Sequence, residues 1–139
     1  MGEIDRTTAK GQIVALPFVQ DALAASQTDA QLVVQDGLVA VEGISAPWPG
    51  EVVGYSYDLS AAATAGSLTI GPSVEGTERT AQAVTVTTGT KGYKRIPRGK
   101  IPFLAGQQLG VEITTDGSWD GINSDLVVVV YVLYQLMGI

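Results

Sequence analysis

From Gly50 onward the chain reads as short runs in which apolar positions alternate with small or polar ones, separated by Gly, Ala-Gly and Asp-Gly. Alternation at period two marks half-buried β-strands. The runs are Glu51–Leu59, Ser67–Ile70, Gln82–Thr88, Gly92–Ile96, Gln108–Thr115 and Asp125–Tyr134. In the first, Val53, Tyr55, Tyr57 and Leu59 share one face, with Val52, Gly54, Ser56 and Asp58 on the other. Leu109, Val111 and Ile113 repeat the pattern opposite Gly110, Glu112 and Thr114. The last run does not alternate. Leu126 to Tyr134 is apolar on both faces, which calls for cover on both. A small sandwich covers one of them, and a second copy of the chain is the simplest source of the other cover.

Residues 1–46 read differently. Leu16-Pro17-Phe18, followed by Val19, Ala22, Leu23 and Ala24, predicts a short helix with Pro17 in its first turn. Asp36-Gly37 between Leu32-Val33-Val34 and Leu38-Val39-Ala40-Val41 predicts a hairpin, because both central residues tolerate positive φ. An isolated hairpin is marginal in water and needs a partner surface. Ala46-Pro47-Trp48-Pro49-Gly50 fixes an extended passage, and the domain boundary is placed there. The expected organisation is an arm over residues 1–46 and a sandwich over residues 47–139. The expected fold is all-β: a jelly-roll-like antiparallel β-sandwich carrying an N-terminal arm of one short helix and one hairpin.

Composition narrows the chemistry. The 139 residues contain neither Cys nor His, which removes thiolate and imidazole ligands and the commonest general base. No Ser-x-x-Lys pattern, phosphate-cradling Gly loop or paired-carboxylate cleft is legible, so the chain is read as no enzyme, with no cofactor and no metal. Leu126–Tyr134 is far short of the ~20 residues that cross a bilayer, and no basic-then-apolar leader opens the chain. Neither a membrane nor a secretory route is expected.

Charge is uneven about a net of -6, the wrong sign for nucleic acid. From Gly11 to Glu78 there is no Lys or Arg, against Asp21, Asp29, Asp36, Glu42, Glu51, Asp58, Glu75 and Glu78. Lys91, Lys94, Arg95, Arg98 and Lys100 then follow with no acid among them. This run is either a solvated polar loop or an electrostatic patch docking on an acidic neighbour. Asp116-Gly117-Ser118-Trp119-Asp120-Gly121 has acids at calcium-like spacing but fails the EF-hand pattern, so it reads as a turn held by Asx side chains. Trp119 either plugs the end of the sandwich or, with Asp116 and Asp120, forms a ligand loop that stacks on a sugar.

Val53-Gly-Tyr-Ser-Tyr-Asp-Leu59, Ala65-Gly-Ser-Leu-Thr-Ile-Gly-Pro-Ser-Val-Glu-Gly76, Ile101 to Asp116, Trp119 and Asp125-Leu-Val-Val-Val-Val130 resemble the β-sandwich domains of tailed-phage virion proteins. That family includes head decoration (cement) proteins, head fibres and some tail or baseplate attachment proteins. The resemblance implies a non-enzymatic structural protein, a homotrimer attached through an N-terminal segment. This chain lacks the repetitive shaft of the long fibres, which favours a compact decoration protein.

On that reading the protein is made in the host cytoplasm and carried on the capsid exterior of the virion, where it binds the major capsid protein. Leu126, Val128, Val130 and Val132 are then expected at the trimer axis, and Leu32, Val34, Leu38, Val39 and Val41 at the capsid attachment. The alternative function is a carbohydrate-binding or host-receptor module of a tail, baseplate or head fibre, with a surface glycan bound at Trp119.

Overall fold

The computed structural model describes residues 12–34, 41–121 and 123–136. Among the described residues eleven strands occur in this order: β1 Gln12–Gln20, β2 Ala30–Gln31, β3 Ile44–Ser45, β4 Gly50–Leu59, β5 Leu68–Val74, β6 Thr77–Glu78, β7 Val84–Val86, β8 Lys91–Arg95, β9 Pro102–Phe103, β10 Gln108–Thr115 and β11 Leu126–Tyr134. One short 3₁₀ turn, Thr80–Gln82, precedes β7. Among the described residues, no helix is long and apolar enough to cross a membrane.

All pairings are antiparallel, and they divide into two sheets. One sheet runs β1-β11-β4-β8, with β9 joining β4 beyond the end of β8. The other runs β2-β10-β5-β6, with β3 extending the β2 edge and β7 the β6 edge. Counting β2 with β3, β6 with β7 and β8 with β9 as single broken columns, each sheet has four columns. Successive columns alternate between the sheets for the first half of the chain, and at its end β10 returns to insert between β2 and β5, and β11 between β1 and β4. This is the double Greek key of a jelly roll.

The core lies between the sheets. Its largest fully buried side chains include Trp119, Tyr55, Phe18, Leu23, Leu32, Leu68, Ile70, Ile101, Leu109 and Ile113. Tyr55 crosses from one sheet toward the other, its hydroxyl donating to the Gln82 carbonyl at 2.6 Å. Burial, and then the charge of Glu78, raises the Tyr55 phenol well above its ordinary range. It therefore remains a donor at every ordinary pH.

Residues 12–34 correct the expected arm. Gln12–Gln20 is a strand and not a helix, in register with β11 from Gln12↔Tyr134 to Gln20↔Leu126. Leu16 and Phe18 point inward from it and are buried. Pro17 lies between them on the outward side of an edge strand, where a missing N–H costs the ladder nothing. The extended chain wins because it buries Leu16 and Phe18 in the core and completes the β11 ladder, whereas a helix over the same residues would leave that ladder unpaired. The boundary at residue 46 therefore does not separate an arm from a sandwich: β1, β2 and β3 are two of the eight columns. The expected hairpin tip, with Asp36, Gly37, Leu38 and Val39, lies outside the described residues. At its base, the Val34 amide donates to the Val41 carbonyl at 2.6 Å.

Candidate functional site

The non-alternating strand β11 explains where assembly chemistry can sit. Leu126, Val128, Val130 and Val132 are 0–1% exposed in the single chain, packed into its own core. These four residues, expected at a trimer axis, are thus unavailable to a neighbour, because the opposite sheet already covers them. The other face, Val127, Val129, Tyr131 and Leu133, is only partly covered, with Val127 and Tyr131 near 40% exposed.

The register extends this face across the sheet in rows. Ala15, Tyr131, Gly54 and Arg95 form one row, and Pro17, Val129, Ser56 and Tyr93 the next. Val19, Val127, Asp58 and Lys91 form a third. Ile13 and Tyr93, the most exposed large apolar side chains here, lie toward opposite edges. A shallow groove of about 400 Å³ crosses the face, floored by Gly54 and Ser56 and walled by Tyr131, Ile13 and Tyr93. Gly54 lies close against the neighbouring strand: a Cβ there would sit 3.0 Å from the Lys94 carbonyl oxygen. A β-bulge beside it, where Tyr131 pairs with Gly54 but Val132 with Val52, turns Val52 into the core. Val53, placed by alternation on one face with Tyr55, Tyr57 and Leu59, is the extra residue of that bulge.

The basic run borders this face. Lys91, Lys94 and Arg95 lie on the edge strand β8, with Arg98 and Lys100 in the loop to β9. All but Lys94 are exposed, and Lys94 is half-buried. Arg98 is engaged, its Nε 2.8 Å from Glu51. Burial raises the Glu51 pKa, but the Gly99 amide and the Arg98 guanidinium outweigh it and hold the carboxyl below its ordinary range.

The outer face of the second sheet is different in kind. There Glu112 is buried, accepts from the Gln31 side chain and lies near Asp29 and Glu78. Gly71 leaves room for Glu78, whose Oε1 is buried without a hydrogen-bond partner. Burial first, then the charge of Asp29, raises both glutamates above the ordinary carboxylate range. The folded chain therefore takes up these protons more readily than the unfolded chain, so their contribution is largest at low pH and is lost as pH rises through the folded values. The melting temperature should climb as pH is lowered from neutral toward the ordinary carboxylate range. Glu78→Gln should melt higher than the parent at neutral pH and show a flatter climb, read by scanning calorimetry across pH. Glu51 acts in the opposite direction, but only below the ordinary carboxylate range.

The turn around Trp119 is a plug. Trp119 is 2% exposed, and Gly66 and Gly121 make room for it: a Cβ at Gly66 would lie 2.3 Å from its amide nitrogen, and one at Gly121 2.5 Å from its ring. Stacking on a sugar is therefore not available to it. Asp116 accepts from the Ser67 hydroxyl and the Ser118 amide. Asp120 accepts from the Thr64 and Ala65 amides, which lower its pKa together with the Thr64 hydroxyl, the largest contribution. Asp125 accepts from the Ala22 amide at 3.0 Å. These carboxylates tie loops together.

Of the residues expected at a capsid attachment, Leu32 is fully buried, Val34 half-buried and Val41 exposed; Leu38 and Val39 lie outside the described residues. The sequence reading missed the outward residues Ile13, Val129, Tyr131 and Leu133, and the Asp29, Glu78 and Glu112 group. The alternation of inward Val14, Leu16 and Phe18 was the available signal for β1.

No family model matches this sequence, and no curated protein resembles it significantly. Solved structures do. A chain of the cyanophage Pam1 capsid asymmetric unit has a TM-score of 0.51 at 12% identity, covering 91% of this chain and 86% of that chain. A chain of the acid-stable capsid of Helicobacter pylori bacteriophage KHP30 has a TM-score of 0.44 at 12% identity, covering 88% and 92%. The globular domain of zebrafish complement 1qA has a TM-score of 0.43 at 12% identity, covering 90% and 98%. At such identities the likeness is one of fold, and the Pam1 capsid chain shares with this protein a jelly-roll-like β-sandwich over nearly the whole of both.

Proposed function

We propose that this chain is a non-enzymatic structural protein of a tailed-phage capsid: a decoration protein that sits on the outside of the head, binds the major capsid protein and strengthens the shell. The observation that carries the reading is the fold shared with a capsid chain across 91% of this one. The uncovered apolar face of the β1-β11-β4-β8 sheet fits a chain that works in an assembly, since an exposed face of this kind marks an interaction surface. The three-copy arrangement expected from sequence relied on the inner residues of β11, and those are used by the core. The segment from Leu32 to Val41, with Val41 exposed, is the capsid attachment in this reading. The basic run from Lys91 to Lys100, at the free rim of the sheet, supplies the salt-sensitive share of the contact.

A protein that binds only the assembled shell stabilises it by mass action. Heating particles with and without the protein, and recording when DNA becomes accessible to dye, tests this. Release should occur at a higher temperature on decorated particles, and the difference should shrink with added salt. Equal release temperatures would reject shell stabilisation.

A further inference from the structure

We infer that the outer face of the β1-β11-β4-β8 sheet is an interface between two copies of this chain, packed back to back about a two-fold axis parallel to the strands. The axis runs between β11 and β4. This arrangement follows from the shape and charge of the face, and it holds whether or not the protein coats a shell.

Shape selects it first. The row Ala15–Tyr131–Gly54–Arg95 places a half-exposed aromatic knob next to a glycine dip. A two-fold axis between those two columns carries Tyr131 of each copy over Gly54 of the other, so that both knobs and both dips are filled at once. Such self-complementarity is what an isologous contact requires. In the next row the same operation lays Pro17 of one copy over Tyr93 of the other, a flat ring on a flat ring.

Charge selects the same axis. The cations of the face, Lys91 and Arg95, lie on β8 at one edge, and the outward positions of β1 at the other edge carry no charge. The proposed axis places β8 over the partner's β1, so cations meet a neutral strand at the rim and their heads stay in water. The alternative two-fold, perpendicular to the strands, would stack β8 on β8 and bring Lys91 against Arg95. Like charges juxtaposed in this way oppose association.

The area suffices. Four columns about 4.8 Å apart, with strands of about eight residues rising about 3.3 Å each, cover about 500 Å² per copy and about 1,000 Å² in total, the threshold for a specific interface.

The first test is mass by size exclusion with light scattering at micromolar concentration. The expected value is twice the 14.4 kDa of the chain. Tyr131→Lys should keep the parent circular dichroism and raise the dissociation constant about 30-fold. Should it fail to fold, the geometry is read separately by cross-linking. The chain has no Cys, so an introduced one is its sole thiol. A short bis-maleimide should link a mixture of Pro17→Cys and Tyr93→Cys proteins into dimers, and neither protein alone. A single-chain mass at every concentration, a three-chain mass, or linkage of Tyr93→Cys to itself would each overturn the arrangement. None of these outcomes bears on the heat-release experiment, which tests the capsid role independently.

Discussion

Deleting residues 1–46 is expected to leave no folded sandwich. The segment carries β1, β2 and β3, and their loss strips one edge from each sheet. On one side β11 loses its partner along the whole register from Gln12 to Gln20. On the other, β10 loses the pairs Glu112↔Gln31 and Leu109↔Ile44. Leu16, Phe18, Leu23 and Leu32 leave the core together, and three of them are completely buried. Each such truncation costs about 2–5 kcal/mol on its own, against a total stability of about 5–15 kcal/mol for a domain. The uncovered β11 would also present a long apolar edge, which promotes aggregation. Expression of residues 47–139 should give insoluble or uncooperative material by circular dichroism and thermal melting. Phe18→Ala in the full chain is the milder probe, with an expected loss of about 3–5 kcal/mol in denaturant titration. A soluble fragment with a sharp melt would show that the segment is an appendage after all.

How far the sequence discloses this molecule depends on the length and regularity of each element. Gln108–Thr115 is read with the bounds it has in the structure, because three inward apolar residues alternate with Gly110, Glu112 and Thr114. In β4 the alternation is real but breaks at the bulge, and periodicity alone groups Val53 with Tyr55 where the fold buries Val52. The strands β2, β3, β6 and β9 contain two residues each, too few for any period. In β1, apolar residues occupy outward positions too, Ile13 and Val19 among them, and Pro17 imitates a helix start; only pairing with β11 decides between the two. The candidate surface was legible in one respect, the two apolar faces of β11. Which face serves the core depends on the register against β4 and β1. The acidic group is illegible for a related reason: Asp29, Glu78 and Glu112 come from distant parts of the chain and meet only across the second sheet.

Neighbouring positions on β11 should therefore respond to the same substitution in opposite ways. Val130 is 1% exposed and lies in register between Leu16 and Tyr55, whose side chains fill the space around it. An aspartate there would bury a carboxylate among the apolar side chains of the core, at a cost above about 4–5 kcal/mol. Val130→Asp is expected to unfold the chain. Val129 points outward between Pro17 and Ser56, and is only half-buried. There the new carboxylate can be hydrated, so Val129→Asp should fold with a stability change within about 1 kcal/mol. Its effect should appear in association, because the proposed axis seats this side chain against Ser56 of the other copy near the middle of the contact, where a carboxylate would lose its hydration. Circular dichroism, denaturant titration and light scattering on the two variants separate the outcomes. A folded Val130→Asp protein beside an unfolded Val129→Asp protein would mean that β11 presents the opposite face to the core. A Val129→Asp protein that folds and still dimerises would move the contact elsewhere on the molecule and leave the fold assignment standing.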